Sequence, residues 1–225
     1  MTRKIKTGIK GLDEIIEGGF FEGDFILLAG DTGSGKTIFC SQYICYGAEN
    51  GEKGIIATFE EDRETLLRNM ESLGLELGRF EKENKVRILD LEAFKGSNLQ
   101  LNLEFILSNV EDFGAKRLVI DSINAFLAAC EGKFEYRTIM HFLYRMFKRI
   151  KVTTIATCSI PTGAKTLGLG FEEFIADALI TLENFLENYE LKRRLLVRKM
   201  RGVNHSRKYH NVIIDKNGMS VVPLI

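Results

Sequence analysis

Apolar positions along the chain fall into two alternating periods. Residues 25–29, Phe-Ile-Leu-Leu-Ala, form a near-continuous apolar run of strand length, the pattern of a strand buried on both faces in a parallel sheet. Similar short runs recur at 54–59, 86–89, 117–121 and 153–157. Between them lie longer stretches with apolar residues at helical spacing: 36–49, 62–73 with Leu66, Leu67 and Met70 on one side, 101–113 and 136–151. Ahead of the first strand, residues 8–17 put Ile9, Leu12, Ile15 and Ile16 at helical spacing and close on Gly18-Gly19. Strands alternating with helices predict an α/β fold with a mostly parallel twisted sheet flanked by helices. After Pro161 the rhythm changes. Residues 161–170 carry three glycines and read as a loop. Runs at 178–182, 191–199, 209–214 and 220–222 follow with no long helix between them, which predicts antiparallel strands added at a sheet edge. No repeat or linker interrupts the pattern, so residues 1–225 read as one domain.

Composition narrows the function class. The 225 residues are 45% apolar and 28% charged, enough to bury a real core. Thirty-one basic residues balance 31 acidic ones, a net charge of zero, whereas a non-specific nucleic-acid binder carries a basic excess. No run of about 18 apolar residues suggests a membrane helix. The basic amino terminus has no apolar stretch behind it, so it does not read as a signal peptide. Cys40, Cys45, Cys130 and Cys158 form no CxxC pair and read as buried thiols of a protein in the reducing cytoplasm.

The chemistry begins at residues 30–37, Gly-Asp-Thr-Gly-Ser-Gly-Lys-Thr, a complete GxxxxGK(S/T) directly after the first strand and before a helix. Glycines there let successive backbone N–H groups curl around phosphates, and the helix N-terminus adds its positive dipole end. ATP contacts are expected over Asp31, Thr32, Gly33, Ser34, Gly35, Lys36, Thr37 and Ile38. Lys36 is expected to reach the β- and γ-phosphates and the Thr37 hydroxyl to ligate Mg²⁺. Asp121 closes the apolar strand 117–121, where a carboxylate holds the Mg²⁺ environment. Glu60 and Glu61 end the second strand at the same edge. Either can orient or deprotonate an attacking water, and either can instead favour the N-terminus of the following helix.

These residues give the chain a pattern that resembles the KaiC branch of the RecA-like ATPases over nearly its whole length. The residues that carry the resemblance are Thr7-Gly8-Ile9-Lys10-Gly11-Leu12-Asp13, Thr58-Phe59-Glu60-Glu61, Ile120-Asp121-Ser122, Phe171-Glu172-Glu173-Phe174 and Lys199-Met200-Arg201-Gly202-Val203-Asn204-His205. The resemblance implies that Glu60 activates water and that Glu61 supports it or contacts the metal. It implies that Lys199 and Arg201 are finger residues reaching a neighbouring subunit's γ-phosphate, and that Ser72 contacts the chain's own nucleotide. It also puts Phe174, Arg193, His205 and Asp215 where a neighbour touches base and sugar. A homo-oligomeric ring, most simply a hexamer, and a protein partner for its signalling follow from the same resemblance. The family's circadian member phosphorylates itself on a Ser-Thr pair in its second half. The matching place here is Glu173-Phe174, as in its ATPase-only first half, so the resemblance carries neither autokinase activity nor timing.

Residue by residue, the trans role is compatible: i and i+2 on a strand share a face, so Lys199 and Arg201 can meet one phosphate group. The segment 192–208 holds eight Lys and Arg and no acid, which also fits a solvated basic edge or a nucleic-acid patch. Two rival functions therefore stand beside the ring ATPase, a DNA-handling ATPase and a nucleotide-gated scaffold. Against DNA, the expected loops 131–135 and 161–170 carry one lysine each, Lys133 and Lys165.

Overall fold

The structure, a computed structural model, describes residues 3–91, 98–124, 130, 132–160 and 175–223. In chain order the elements are β1 (Lys4–Ile5), α1 (Leu12–Ile15), β2 (Phe20–Phe21), β3 (Phe25–Gly30), α2 (Lys36–Glu49), β4 (Gly54–Thr58), α3 (Arg63–Glu71), α4 (Leu77–Lys82) and β5 (Val86–Asp90). They continue with α5 (Asn98–Phe113), β6 (Arg117–Asp121), α6 (Lys133–Ile150), β7 (Thr153–Ser159), β8 (Ala178–Glu187), β9 (Glu190–Met200), β10 (His210–Asp215) and β11 (Gly218–Pro223). Among the described residues, nine strands form one sheet in the order β11-β10-β9-β8-β3-β7-β6-β4-β5, and β1 and β2 pair as a separate antiparallel ribbon.

The apolar run at 25–29 becomes β3, bonded in parallel to β7 on one side and β8 on the other. Its side chains alternate between two cores: Ile26 and Leu28 enter one, Phe25, Leu27 and Ala29 the other. The first core is closed by α2, α3 and α4 through Phe39, Tyr43, Leu66, Met70, Leu77 and Phe80. The second is closed by α5 and α6 through Ile106, Val110, Tyr136, Met140 and Phe147. Cover on both faces is what makes a strand read as continuously apolar.

The expected α/β sheet is present, with three departures in detail. Strand β8 is not antiparallel; it pairs in parallel with β3, Ile26 opposite Ala178 through Gly30 opposite Leu182. A parallel return needs a connection of about a dozen residues or more, and the interval between β7 and β8 is long enough without showing a helical period. Only β9, β10 and β11 add antiparallel. The helix expected at 8–17 shrinks to the four residues of α1, because Gly11 (φ 82°) precedes it and Glu17 (φ 56°) follows it in left-handed conformations. The expected loop at 131–135 is in part the first turn of α6, which starts at Lys133. The expected loop at 161–170 and the segment 171–174, Phe174 included, lie outside the described residues.

The four cysteines are unbridged, with Cys40, Cys45 and Cys158 buried and Cys130 half-buried. Burial raises the Cys40 thiol well above its ordinary pKa and pushes Cys45 up to about 12. No helix among the described residues is long and apolar enough to cross a membrane.

One tight contact fixes α2 against the sheet. Arg117 is buried under Gly47, bonded to Glu52 and to the Tyr43 carbonyl, with its guanidinium 4.4 Å from the Tyr43 ring centre. A Cβ added at Gly47 meets Arg117 Cδ and Nε at 2.4 Å. Alanine gains about 1 kcal/mol of helix propensity over glycine, but overpacking costs about 1–3 kcal/mol, and displacing Arg117 strains a buried ion pair. Gly47→Ala is therefore expected to lower the urea midpoint; an unchanged or raised midpoint rules out this contact as a constraint.

Candidate functional site

The glycine-rich turn leaves the carboxyl end of β3 and enters α2. Gly33 (φ 74°) and Gly35 (φ 103°) take conformations that favour glycine, and Gly35 is the N-cap of α2. A Cβ at Gly33 meets nothing within 4 Å, whereas one at Gly35 strikes Ile214 Cδ1 at 2.8 Å and Met219 Cε at 2.9 Å. The turn is thus open above and backed by the β10–β11 hairpin. Lys36 is buried, and its ammonium donates to the carbonyls of Gly30 and Asp31, both at 3.0 Å. Asp31 and Thr32 are also held by Asn184 of β8, whose N–H donates to Asp31 Oδ2 (2.7 Å) and whose side-chain amide donates to the Thr32 carbonyl (3.1 Å). The Ser34 hydroxyl oxygen is buried without a partner. Thr37 sits in the first turn of α2, and Ile38 packs against the first core.

Asp121 ends β6, with β7 separating it from β3. Its Oδ2 accepts from the Thr37 hydroxyl at 2.9 Å and its Oδ1 from the Thr157 hydroxyl at 2.5 Å. Burial raises the Asp121 pKa, and the Glu60 charge adds to the rise, against the lowering effect of the two threonine bonds and Lys36. A cis peptide joins Asp121 to Ser122, whose hydroxyl donates to Glu60 Oε1. Strand β4 lies beside β6 with Thr58 opposite Asp121, so both glutamates emerge at the same edge.

The two glutamates differ in environment. Glu60 is exposed. Glu61 is half-buried, its backbone tied on both sides to the Thr58 hydroxyl, and its Oε2 is buried without a partner. Burial raises the Glu61 pKa first, then the charge of Asp121 and that of Glu60. Neither glutamate caps the following helix; Asp62 does, its carboxylate accepting from the Thr65 N–H at 2.9 Å.

Two carboxylates, Asp121 and Glu61, whose pKa values are raised by burial and by neighbouring carboxylate charge, one of them with an unpartnered buried oxygen, suit a cation. No cluster of three or more His, Cys, Asp or Glu among the described residues is arranged to hold a metal by itself. Mg²⁺ keeps waters and takes one or two protein oxygens together with substrate phosphates, a demand that the Thr37 hydroxyl and the Asp121 carboxylate suit.

The other expected residues divide between two ends of the sheet. Arg193 Nε donates to the carbonyl of the chain's own Gly33 at 3.3 Å. Asp215 ends β10 beside Ile214, which backs Gly35. Ser72 ends α3, its hydroxyl donating to the Asn69 carbonyl at 2.7 Å, and the nearby Gly74 approaches the Lys216 carbonyl of the β10–β11 turn. Arg193, Asp215 and Ser72 therefore cluster at the chain's own turn. Lys199, Arg201 and His205 do not. Lys199 donates to the Ala176 carbonyl at 2.7 Å, the Arg201 N–H donates to the Asp177 carbonyl at 2.9 Å, and all three line a groove of about 460 Å³. Through Asp177, Arg201 is level with Phe25 at the start of β3, about 16 Å along the strand from Gly30. Phe174 lies outside the described residues.

Sequence reasoning missed Thr157, Ser122 and Asn184 as supports of the site. Ser122 adjoins the strand-end aspartate, which is a usable signal. Thr157 and Asn184 reach the site only through strand register, which no local pattern encodes.

Residues 5–224 match the family described as ATPase: KaiC. The chain is 30% identical to the circadian clock protein KaiC3 of Synechocystis, across 98% of this chain and 46% of that protein. It thus spans about half the length of that clock relative. It is 33% identical to a UPF0273 protein of Thermotoga maritima, across 99% of this chain and 97% of that one. Among solved structures, the KaiC-like protein PH0186 of Pyrococcus horikoshii superposes with a TM-score of 0.90 at 42% identity, covering 99% of this chain and all of that one. A match of that span settles membership: the chain belongs to the KaiC family of ATPases.

Proposed function

We propose that residues 1–225 act as one ATPase domain that binds ATP with Mg²⁺ at the glycine-rich turn. In this reading the domain assembles into a ring, most simply a hexamer, and uses hydrolysis to change conformation and signal to a protein partner. The observation that carries the chemistry is the convergence of Lys36, Thr37, Asp121 and the unpartnered Glu61 oxygen at one sheet edge. Lys36 leaves the turn carbonyls for the phosphates, and the backbone N–H groups of residues 33–37 hold them. Thr37 and Asp121, supported by Glu61, would hold Mg²⁺, which would supply charge neutralisation at the phosphate oxygens. Exposed Glu60, oriented by Ser122, takes the proton of the attacking water, while half-buried Glu61 supports the metal environment. The ring reading rests on the distance of Lys199 and Arg201 from the chain's own turn. A neighbour's γ-phosphate is their natural target, and head-to-tail contacts of that kind close into rings. Arg193 and Asp215 lie beside the chain's own turn, so they are assigned to the nucleotide of their own subunit. Unbridged buried thiols fit a cytoplasmic setting. Phosphate release with ATP and Mg²⁺, together with mass by light scattering, tests the reading: no hydrolysis and a monomeric mass with nucleotide present overturn it.

A DNA-handling role is the second reading, and the basic segment 192–208 is its only support. Several of its cations are already matched within the chain. Lys192 pairs with Glu187, Arg194 with Glu183, and Arg201 faces Asp177. Phosphate-backbone binding needs several uncommitted cations per site and weakens with salt. Single-stranded DNA is therefore expected to show no nanomolar binding at about 0.15 M salt in a fluorescence-anisotropy titration. Affinity that survives that salt concentration moves this reading to first place.

A further inference from the structure

At the end of the sheet away from the turn, Asp177 precedes β8 and is almost fully buried. Its carboxylate collects four donors. Oδ2 accepts from the Phe25 N–H at 2.9 Å and from the Lys148 ammonium at 2.7 Å. Oδ1 accepts from the Tyr144 hydroxyl at 3.2 Å and faces Arg201 Nη1 at 3.5 Å. The backbone repeats the link: the Asp177 N–H donates to the Phe25 carbonyl at 2.8 Å and the Arg201 N–H to the Asp177 carbonyl at 2.9 Å. One residue earlier, the Ala176 carbonyl accepts from Lys199 at 2.7 Å. Both cations are thus held by two consecutive residues, 176 and 177.

We propose that Asp177 is the positioning residue of the Lys199–Arg201 pair, holding Arg201 at the angle from which it reaches a neighbouring subunit's phosphate. This rests on the reading of Arg201 as a residue acting in trans. Phe25, Lys148 and Tyr144 fix the plane of the carboxylate, so Oδ1 has one direction left in which to meet Arg201. A contact of 3.5 Å is longer than the usual 2.7–2.9 Å of a charge-assisted hydrogen bond, and the Arg201 side chain is 52% exposed. The contact therefore steers the guanidinium rather than locking it in a short ion pair. Lys148 also pairs with Asp24 at 3.2 Å, so two carboxylates meet two cations and the cluster is neutral.

The test uses Asp177→Asn, which keeps the shape and an acceptor for Phe25 but loses the charge. Misplacing a reacting group by about 1 Å costs about 10²-fold in rate, and that loss in kcat is expected with ATP affinity unchanged. Mixed assemblies then assign the defect to one side of the interface. Asp177→Asn mixed with Lys36→Ala regains activity, because some interfaces join an intact turn to an intact finger. Asp177→Asn mixed with Arg201→Ala does not, because both lack the same side. Asp177→Glu, which restores the charge, recovers part of kcat. A parent-like kcat, or recovery with Arg201→Ala in place of Lys36→Ala, overturns the proposal. If Asp177→Asn does not fold, Tyr144→Phe removes one of the groups that orient Oδ1; it is expected to lower kcat with the same mixing pattern, and a parent-like rate overturns the proposal. Failure of Lys36→Ala and Arg201→Ala to restore each other is a separate result: it removes the trans reading, and this proposal with it.

Discussion

Arg201→Ala is expected to hydrolyse ATP about 10³–10⁵ times more slowly than the parent, the range by which a finger arginine supplied across an interface accelerates phosphoryl transfer. Arg201 cannot deliver that effect to its own turn. It lies level with the start of β3 and is laterally displaced to just past the far end of β9, two strands away. Its nucleotide affinity is therefore expected to stay near the parent's, because each subunit's own turn remains intact. Mixed with Lys36→Ala, the two inactive proteins are expected to regain up to about a quarter of parental activity, the share of interfaces with both halves intact in an equal, random mixture in a closed ring. No recovery, combined with a monomeric mass in ATP and Mg²⁺, removes both the ring and the trans role. Recovery in an assembly with the mass of a dimer, or of an open filament, removes the closed ring alone.

The second large effect concerns the glutamates. Glu60→Gln is expected to bind ATP normally and to lose about 10²–10⁴-fold in turnover, the usual share of a positioned acid–base group. Lys36→Ala is expected to abolish hydrolysis by weakening the nucleotide complex itself. The two variants separate in a binding assay: Glu60→Gln saturates with ATP at parental concentrations and Lys36→Ala does not. Glu61→Gln is expected to act differently, weakening the Mg²⁺ dependence, since its buried oxygen has no partner and burial, followed by the Asp121 charge, raises its pKa. Parental turnover in Glu60→Gln transfers the base assignment to Glu61.

Much of this arrangement is legible in the sequence. Residues 25–29 announced a strand buried on both faces, and the turn after it carried its chemistry in eight consecutive residues, because a phosphate cradle is made locally by backbone and one helix end. Asp121 was legible for the same reason, as the polar end of an apolar strand. The direction of β8 was not, because parallel and antiparallel strands of that length share one pattern and differ only in what they pair with. Nor were Thr157 and Asn184, whose roles arise from strands brought together over 36 and 153 residues of sequence. The positions of Arg193 and Arg201 make the point most sharply. Arg193 lies in β9 and Arg201 directly follows it, so the strand carries them to opposite edges of the sheet, one beside the chain's own turn and the other at the far side. Spacing along the chain cannot reveal that division.

The buried cysteines have a practical consequence for following these motions. A thiol raised to about 12, as at Cys45, is almost entirely protonated at neutral pH and reacts with a disulfide reagent only when the surrounding structure opens. Cys40 is held in the same way one turn beyond Lys36, in the helix whose first residues form the phosphate cradle. The rate of its modification therefore measures how often that helix breathes away from the sheet, free energy by free energy, without any probe being introduced. The native chain carries its own clock of local opening at the place where nucleotide binds.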